Sequence, residues 1–356
     1  MQLKHMGRSM ACLFFCAFLM AEVSASGLTA CKDYACTGDA IQASATKEPE
    51  TKEYIKWVDF GIPAKALAKA MELDVKSYED EVHLNWLEIL AILGTKYGGE
   101  WKRYKDPDMN EVAEKLLAGE SREQILPGYK NYDYYYEAYS AVLGGFLGEY
   151  KREVPDRENE GQVILKSGYG LKAYSPIAEG YGYSHYSDFG DSRSYGYRRA
   201  HLGNDLCGSV GTPIIAVEAG TIEEMGWNQY GGWRIGIRSF DQKRYYYYAH
   251  LRKGHPFAPE IAIGDTVQAG TVIGYLGMTG YSTQEDVNNM KVPHLHFGVQ
   301  LIFDESQKDG VNQIWIDVYD LVEFLERNRA TVLRVEESKD YIRKYNLYDE
   351  RFPYHE

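Results

Sequence analysis

Apolar positions recur at helical spacing between residues 62 and 150 and at strand-like spacing beyond residue 163. In IPAKALAKAMEL (62–73), Ile62, Ala66, Ala70 and Leu73 fall on one face, because residues three and four apart stack on successive turns of a helix. LNWLEILAIL (84–93) repeats the spacing and is expected to stop at Gly94. MNEVAEKLLAG (109–119) and the tyrosine-rich YDYYYEAYSAVLGGFLGEY (132–150) complete a four-helix unit. Residues 53–150 are therefore predicted as a small all-α domain, and the charged KREVPDRENEGQ (151–162) as a linker. Beyond it the apolar runs shorten and are broken by Gly and Pro. TPIIAVEAGTI, WRIGIRSF, RYYYYAHL and HLHFGVQLIF are the clearest strands of a mainly β domain over 163–330. Helical spacing returns in IDVYDLVEFLERNRA (316–330) and ESKDYIRKYNLYDE (337–350), so 331–356 is expected to be a C-terminal helical extension.

The N-terminus follows a different pattern. Lys4 and Arg8 precede the apolar run MACLFFCAFLMA (10–21), which gives way to small and polar residues. That order of charge, short apolar stretch and small residues reads as a signal peptide over 1–25, and as export to the cell envelope or the extracellular space. Residues 26–52 are polar and small, as in a flexible tether. LTAC (28–31) resembles a lipobox, which would make Cys31 a lipid-carrying membrane anchor; otherwise Cys31 and Cys36 are placed to close a disulfide loop.

Composition narrows the function classes. With 44% hydrophobic and 26% charged residues, the chain has the make-up of a globular protein. A formal charge of -13 argues against a nucleic-acid binder held by phosphate contacts. The 31 tyrosines suit surfaces that grip sugars or peptides.

Candidate chemistry begins with KVPHLHFGVQL (291–301). A strand sends alternate side chains to opposite faces, so His294 and His296 share one side while Leu295 and Phe297 take the other. Upstream, His201 and Asp205 are four apart with Gly203 between them, and His250 ends a strand. A catalytic zinc site takes three protein ligands and leaves one position open. His201, Asp205 and one histidine of the pair supply that count, which leaves the other and His250 for proton transfer.

Taken in order, HLGND, YAHL, GDTVQAGTVIGYLGMTG and PHLHF resemble the lysostaphin/LytM type of zinc metallopeptidase, over about residues 188–320 beginning at DFGDSR. The resemblance implies antiparallel sheets of the barrel-sandwich-hybrid type and hydrolysis of cross-links or stem peptides in bacterial peptidoglycan. It implies that His201, Asp205 and His296 hold Zn2+, and that His250 and His294 are catalytic. Two departures stand out. Gly298 occupies a position where the family often has glutamate, and the loop YSTQEDVNNMKV (281–292) is longer than usual. The rival reading is a catalytically silent LytM-like scaffold or activator in cell-wall remodelling or sporulation, its helical unit receiving a cell-wall protein partner. His185, in the Gly/Tyr-rich segment, is a further candidate for substrate contact, and Cys207 for a fourth, soft ligand.

Overall fold

Five helices open the computed structural model, which describes residues 54–310 and 312–349. They are α1 (Ala64–Lys76), α2 (Trp86–Tyr97), α3 (Asp106–Leu117), the single-turn α4 (Arg122–Ile125) and α5 (Tyr132–Leu143). The Asn85 side chain accepts from the backbone N–H groups of Leu87 and Glu88 and so starts α2; Gly98, in the left-handed conformation, ends it. Gly94 lies inside the helix instead of stopping it. A Cβ there would stand 2.7 Å from Tyr139 Oη, so the glycine serves the close approach of α5.

The helices do not stand apart from the rest. Ile62, Leu67, Ile89 and Val142 are buried in the same hydrophobic core as Leu295, Phe297 and Phe324, and all described residues lie within one compact unit, Glu53–Glu356. Trp86 packs 6.2 Å from Phe324, and Asp320 Oδ1 accepts from the Ala64 N–H at the start of α1. In place of the expected linker, β1 (Leu147–Pro155) and β2 (Val163–Leu171) form a long antiparallel hairpin whose turn is 156–162. The ribbon is largely solvated, so charged side chains that read as a linker sit equally well on its strands.

The next strands are β3 (Tyr183–His185), β4 (Ser192–Tyr195), β5 (Tyr197–Ala200), β6 (Asn204–Gly208), β7 (Pro213–Ile215) and β8 (Gly220–Asn228). After them come β9 (Gly232–Ser239), β10 (Arg244–Ala249), β11 (Thr266–Val267), β12 (Val272–Tyr275), β13 (His294–Leu301) and β14 (Ile314–Ile316). One antiparallel sheet runs β11-β8-β9-β10-β13-β6-β3, with β14 also on β13; β7 pairs with β12, and β4 with β5. The two-residue period divides the faces. Leu295, Phe297, Val299 and Leu301 of β13, with Tyr246 and Tyr248 of β10, fill the core. His294 and His296 are left to the other side.

Between residues 332 and 349 the chain forms strands, not the expected helix. Beyond α6 (Tyr319–Leu325) come β15 (Val332–Arg334), β16 (Tyr341–Arg343) and β17 (Leu347–Asp349). β17 pairs with β1, where Asp349 meets buried Lys172 at 2.8 Å, and the Tyr341 N–H donates to Tyr275 Oη. These long-range partners override a helical period carried by few residues. The predicted signal peptide, the tether, Cys31 and Cys36 lie outside the described residues. Among the described residues, no helix is long and apolar enough to cross a membrane.

Candidate metal centre and cleft

Antiparallel pairing of β6 and β13 sets His296 directly opposite Asp205, which puts the two side chains on one face. His201 joins them from the turn before β6. Its Nε2 lies 2.7 Å from His296 Nδ1 and 3.1 Å from Asp205 Oδ1, and His296 Nδ1 lies 3.4 Å from the same carboxylate oxygen. Ligand atoms around a tetrahedral zinc with bonds of about 2.0–2.1 Å stand about 3.3 Å apart. Asp205 Oδ1 is buried without a hydrogen-bond partner, an orphaned anionic oxygen turned toward two imidazole nitrogens. Two imidazoles and one carboxylate around one point fit a zinc ion with an open coordination position.

The electrostatics agree with that fit. Burial disfavours a charged His201 ring, yet the hydrogen bonds and negative charge of Asp188 and Asp205 outweigh it and push the pKa up to about 9. Burial likewise opposes the Asp205 carboxylate, but the His201, His296 and His294 rings beside it hold it far below the usual range. The cluster attracts positive charge. His201 Nδ1 lies 3.0 Å from the Asp188 backbone oxygen and from Arg193 Nη2; the carbonyl, which only accepts, favours a proton on Nδ1, and a metal displacing the second proton would take the Nε2 lone pair.

Two charged residues not singled out from the sequence brace the ligands. Asp188 Oδ1 accepts from the Asp205 N–H at 3.2 Å, and Arg193 Nη2 reaches Asp188 Oδ2 at 2.5 Å and Asp205 Oδ2 at 3.3 Å. Both fall in DFGDSR, where the resemblance begins, and their charge in that stretch was the available signal. Gly298 is a matter of space: a Cβ there would lie 2.7 Å from the Leu202 carbonyl oxygen and 3.0 Å from the Trp315 ring. Support for the metal ligands comes from Asp188 instead. Gly203 is similarly required, since a Cβ would stand 2.5 Å from the Phe297 oxygen and 2.8 Å from the His296 ring.

His250 and His294 flank the triplet. His250 follows β10 at φ +61, an uncommon conformation for a non-glycine residue, and its Nδ1 faces the Thr279 oxygen at 2.7 Å. Nδ1 of His294 faces the Val292 oxygen at 2.8 Å. Each ring thus donates Nδ1–H to a carbonyl and keeps Nε2 free. Their centroids are 4.7 Å apart, and His294 Nε2 is 3.7 Å from Asp205 Oδ1. Burial, with the neighbouring His294 and His296 rings, holds His250 well below the ordinary imidazole value. All four histidines line a cleft of about 160 Å³ together with Tyr230 and Tyr281, the latter at the start of the long loop.

The other candidates lie elsewhere. Cys207 shares a face of β6 with Asp205, yet it pairs across from His294 and is not one of the converging ligands. His185 does not line the cleft; it stacks on Tyr319 at 4.4 Å. Burial pushes its pKa down to about 4, against the charges of Asp317, Asp188 and Glu326. An unfolded chain takes up that proton near pH 6.5 while the native state stays neutral until about pH 4. The His185 contribution to stability is therefore complete above pH 6.5 and declines as pH falls toward 4. Urea midpoints measured from pH 4 to pH 7 are expected to show a flatter acid limb for His185→Phe than for the unmodified protein. Parallel curves would exclude the effect.

Known proteins resemble the segment that carries these residues. Residues 199–311 match the model of peptidase family M23. Over that segment the chain is similar to M23 peptidases. An L-Ala–D-Glu endopeptidase of Bacillus subtilis is 42% identical over 117 residues, which cover 33% of this chain and 34% of that one. Lysostaphin of Staphylococcus simulans is 41% identical over 98 residues, covering 27% of this chain and 17% of that protein. The chain thus spans about a third or less of the length of these relatives. A crystal structure from Ruminococcus gnavus, described as a glycyl-glycine endopeptidase lytM, aligns over 75% of this chain and 89% of its own with a TM-score of 0.50 and 20% identity. That likeness concerns the fold. It extends well beyond the M23 segment. Within the segment lie all five site residues, from His201 to His296.

Proposed function

We propose that the protein is an exported zinc metalloendopeptidase that hydrolyses peptide cross-links or stem peptides of bacterial peptidoglycan. The observation that carries this reading is the convergence of His201, Asp205 and His296 beside two imidazoles whose Nε2 atoms are free. The M23 match and the endopeptidase names of its relatives support the reaction class. Export rests on the charged, apolar and small-residue succession of residues 1–25, with Cys31 as a lipid tether or as a disulfide partner of Cys36. The helical region is proposed as the surface for a cell-wall protein partner.

Bound zinc supplies Lewis acidity toward a peptide carbonyl and a water molecule. His201, Asp205 and His296 would hold it, with Asp188 and Arg193 fixing their orientation. An Nε2 lone pair of the His250/His294 pair takes the proton of the attacking water. The ring, positive once it holds that proton, stabilises the charge gathering on the carbonyl oxygen as the water adds, and its Nε2–H then passes the proton to the amine nitrogen as the C–N bond breaks, which leaves the ring neutral again. The carbonyls of Thr279 and Val292 keep both rings in the tautomer this requires.

The test is digestion of purified sacculi by the chain beginning after Ala25. Soluble muropeptides are expected to appear, to vanish with a chelator and to return with added zinc, and their masses identify the bond cut. Release that ignores the chelator refutes the metal mechanism. Metal-loaded protein that releases nothing points to the silent scaffold.

A further inference from the structure

The hairpin of β4 and β5 brings a second arginine to the cleft. Arg193 and Arg199 are directly opposed across it, so both side chains leave the same face. Arg193 is neutralised there by Asp188 and Asp205. Arg199 is held differently. Its guanidinium carbon sits 4.8 Å from the Tyr230 ring centre and 5.2 Å from that of Tyr281, and Tyr281 is itself stacked on Tyr195 at 4.9 Å with the planes 8° apart. Nη1 of Arg199 is buried without a hydrogen-bond partner among the described residues. This side chain lines the same cleft as His250, His294 and the metal ligands.

A buried N–H without an acceptor carries a desolvation cost, and a guanidinium clamped by aromatic rings has already lost most of its rotamer freedom. Its planar fork matches a carboxylate, which it binds through charge-assisted, frequently bidentate hydrogen bonds. The geometry points to Arg199 as a specificity-determining residue that receives a free carboxylate on the peptide residue beside the scissile bond. This assignment rests on the endopeptidase reading above and deepens it: the substrate is an acidic peptide of the stem type. A glycine bridge has no side-chain carboxylate, and would leave Nη1 buried and unpaired. Relatives of both kinds exist by name, since one is an L-Ala–D-Glu endopeptidase and another structure is described as a glycyl-glycine endopeptidase.

The test compares a peptide containing L-Ala–D-Glu with a twin in which the free carboxylate is a primary amide. For the zinc-loaded protein, kcat/KM is expected to favour the carboxylate by about 10- to 100-fold, the range of a hydrogen-bonded charge. Arg199→Gln is expected to bring the carboxylate peptide down to the level of the amide twin while changing the twin by less than about twofold, at unchanged zinc content. Arg199→Lys keeps a point charge and is expected to retain part of the preference. A second arm titrates non-hydrolysable analogues of both peptides, so that discrimination is read without turnover. Equal affinities and rates for the two peptides in the unmodified protein, or an equal loss on both in Arg199→Gln and Arg199→Lys, would overturn the assignment. Selective binding of the carboxylate analogue with no cleavage of either peptide upholds Arg199 and refutes the endopeptidase reading.

Discussion

Alanine at His296 is expected to empty the metal site and to lower kcat/KM on sacculi by at least about a thousandfold, near 4 kcal/mol of barrier. His296 supplies one of three converging donors, and its loss leaves only His201 and Asp205 around the centre. Two protein ligands do not replace three, because a catalytic zinc site is built on three. His250→Ala supplies the contrast. That ring is not one of the converging donors, and its Nδ1 is tied to Thr279, so the variant is expected to keep its zinc and lose about 10²- to 10⁴-fold in turnover. Elemental analysis of dialysed protein beside a sacculus-clearing assay distinguishes the two outcomes. Zinc at the unmodified level in His296→Ala would remove this histidine from the ligand set.

The largest expected loss of stability comes from Arg244→Ala. Arg244 is fully buried, with Nε 2.7 Å from Glu218 Oε2, Nη2 2.7 Å from Asp241 Oδ2 and Nη1 2.6 Å from the Ala141 carbonyl oxygen at the end of α5. It ties the helices to β10 in one contact. Among the described residues, truncation leaves buried Glu218 with the Tyr246 hydroxyl, at 2.6 Å, as its remaining side-chain partner. Breaking a buried ion pair from one side costs about 3–5 kcal/mol, whereas replacing both partners by apolar residues of similar volume is often close to neutral. Arg244→Ala is therefore expected to lower Tm by roughly 5–15 °C, and Arg244→Met with Glu218→Leu by much less. Calorimetry at neutral pH measures both. A loss below about 1 kcal/mol in the single variant would mean that Glu218 finds other partners or water.

Legibility followed the range of the interactions. HLHF announced a strand with two imidazoles on one face, and His201 with Asp205 lay close enough in sequence to suggest a shared site. The run RYYYY alternates as expected, Tyr246 and Tyr248 entering the core and Tyr247 reaching the cleft. Elsewhere local pattern misled. Gly94 read as a helix end because nothing nearby reveals that Tyr139, from α5, needs the space a Cβ would fill. KREVPDRENEGQ read as a linker because charge on a solvated hairpin looks like charge in a loop. The C-terminal strands read as helix because a few apolar positions satisfy either period, and their pairing partners are far away in sequence.

From the sequence alone come the donor types, their alternation on β13 and the four-residue step between His201 and Asp205. These depend on backbone periodicity, which acts over a few residues. Only the tertiary structure decided that His296 faces Asp205, that Asp188 and Arg193 brace the ligands, and that Arg199 is clamped between Tyr230 and Tyr281 at the cleft. The reason is physical: strand register and the docking of the β4–β5 hairpin depend on burying one face of the sheet against distant segments, information that no short window contains.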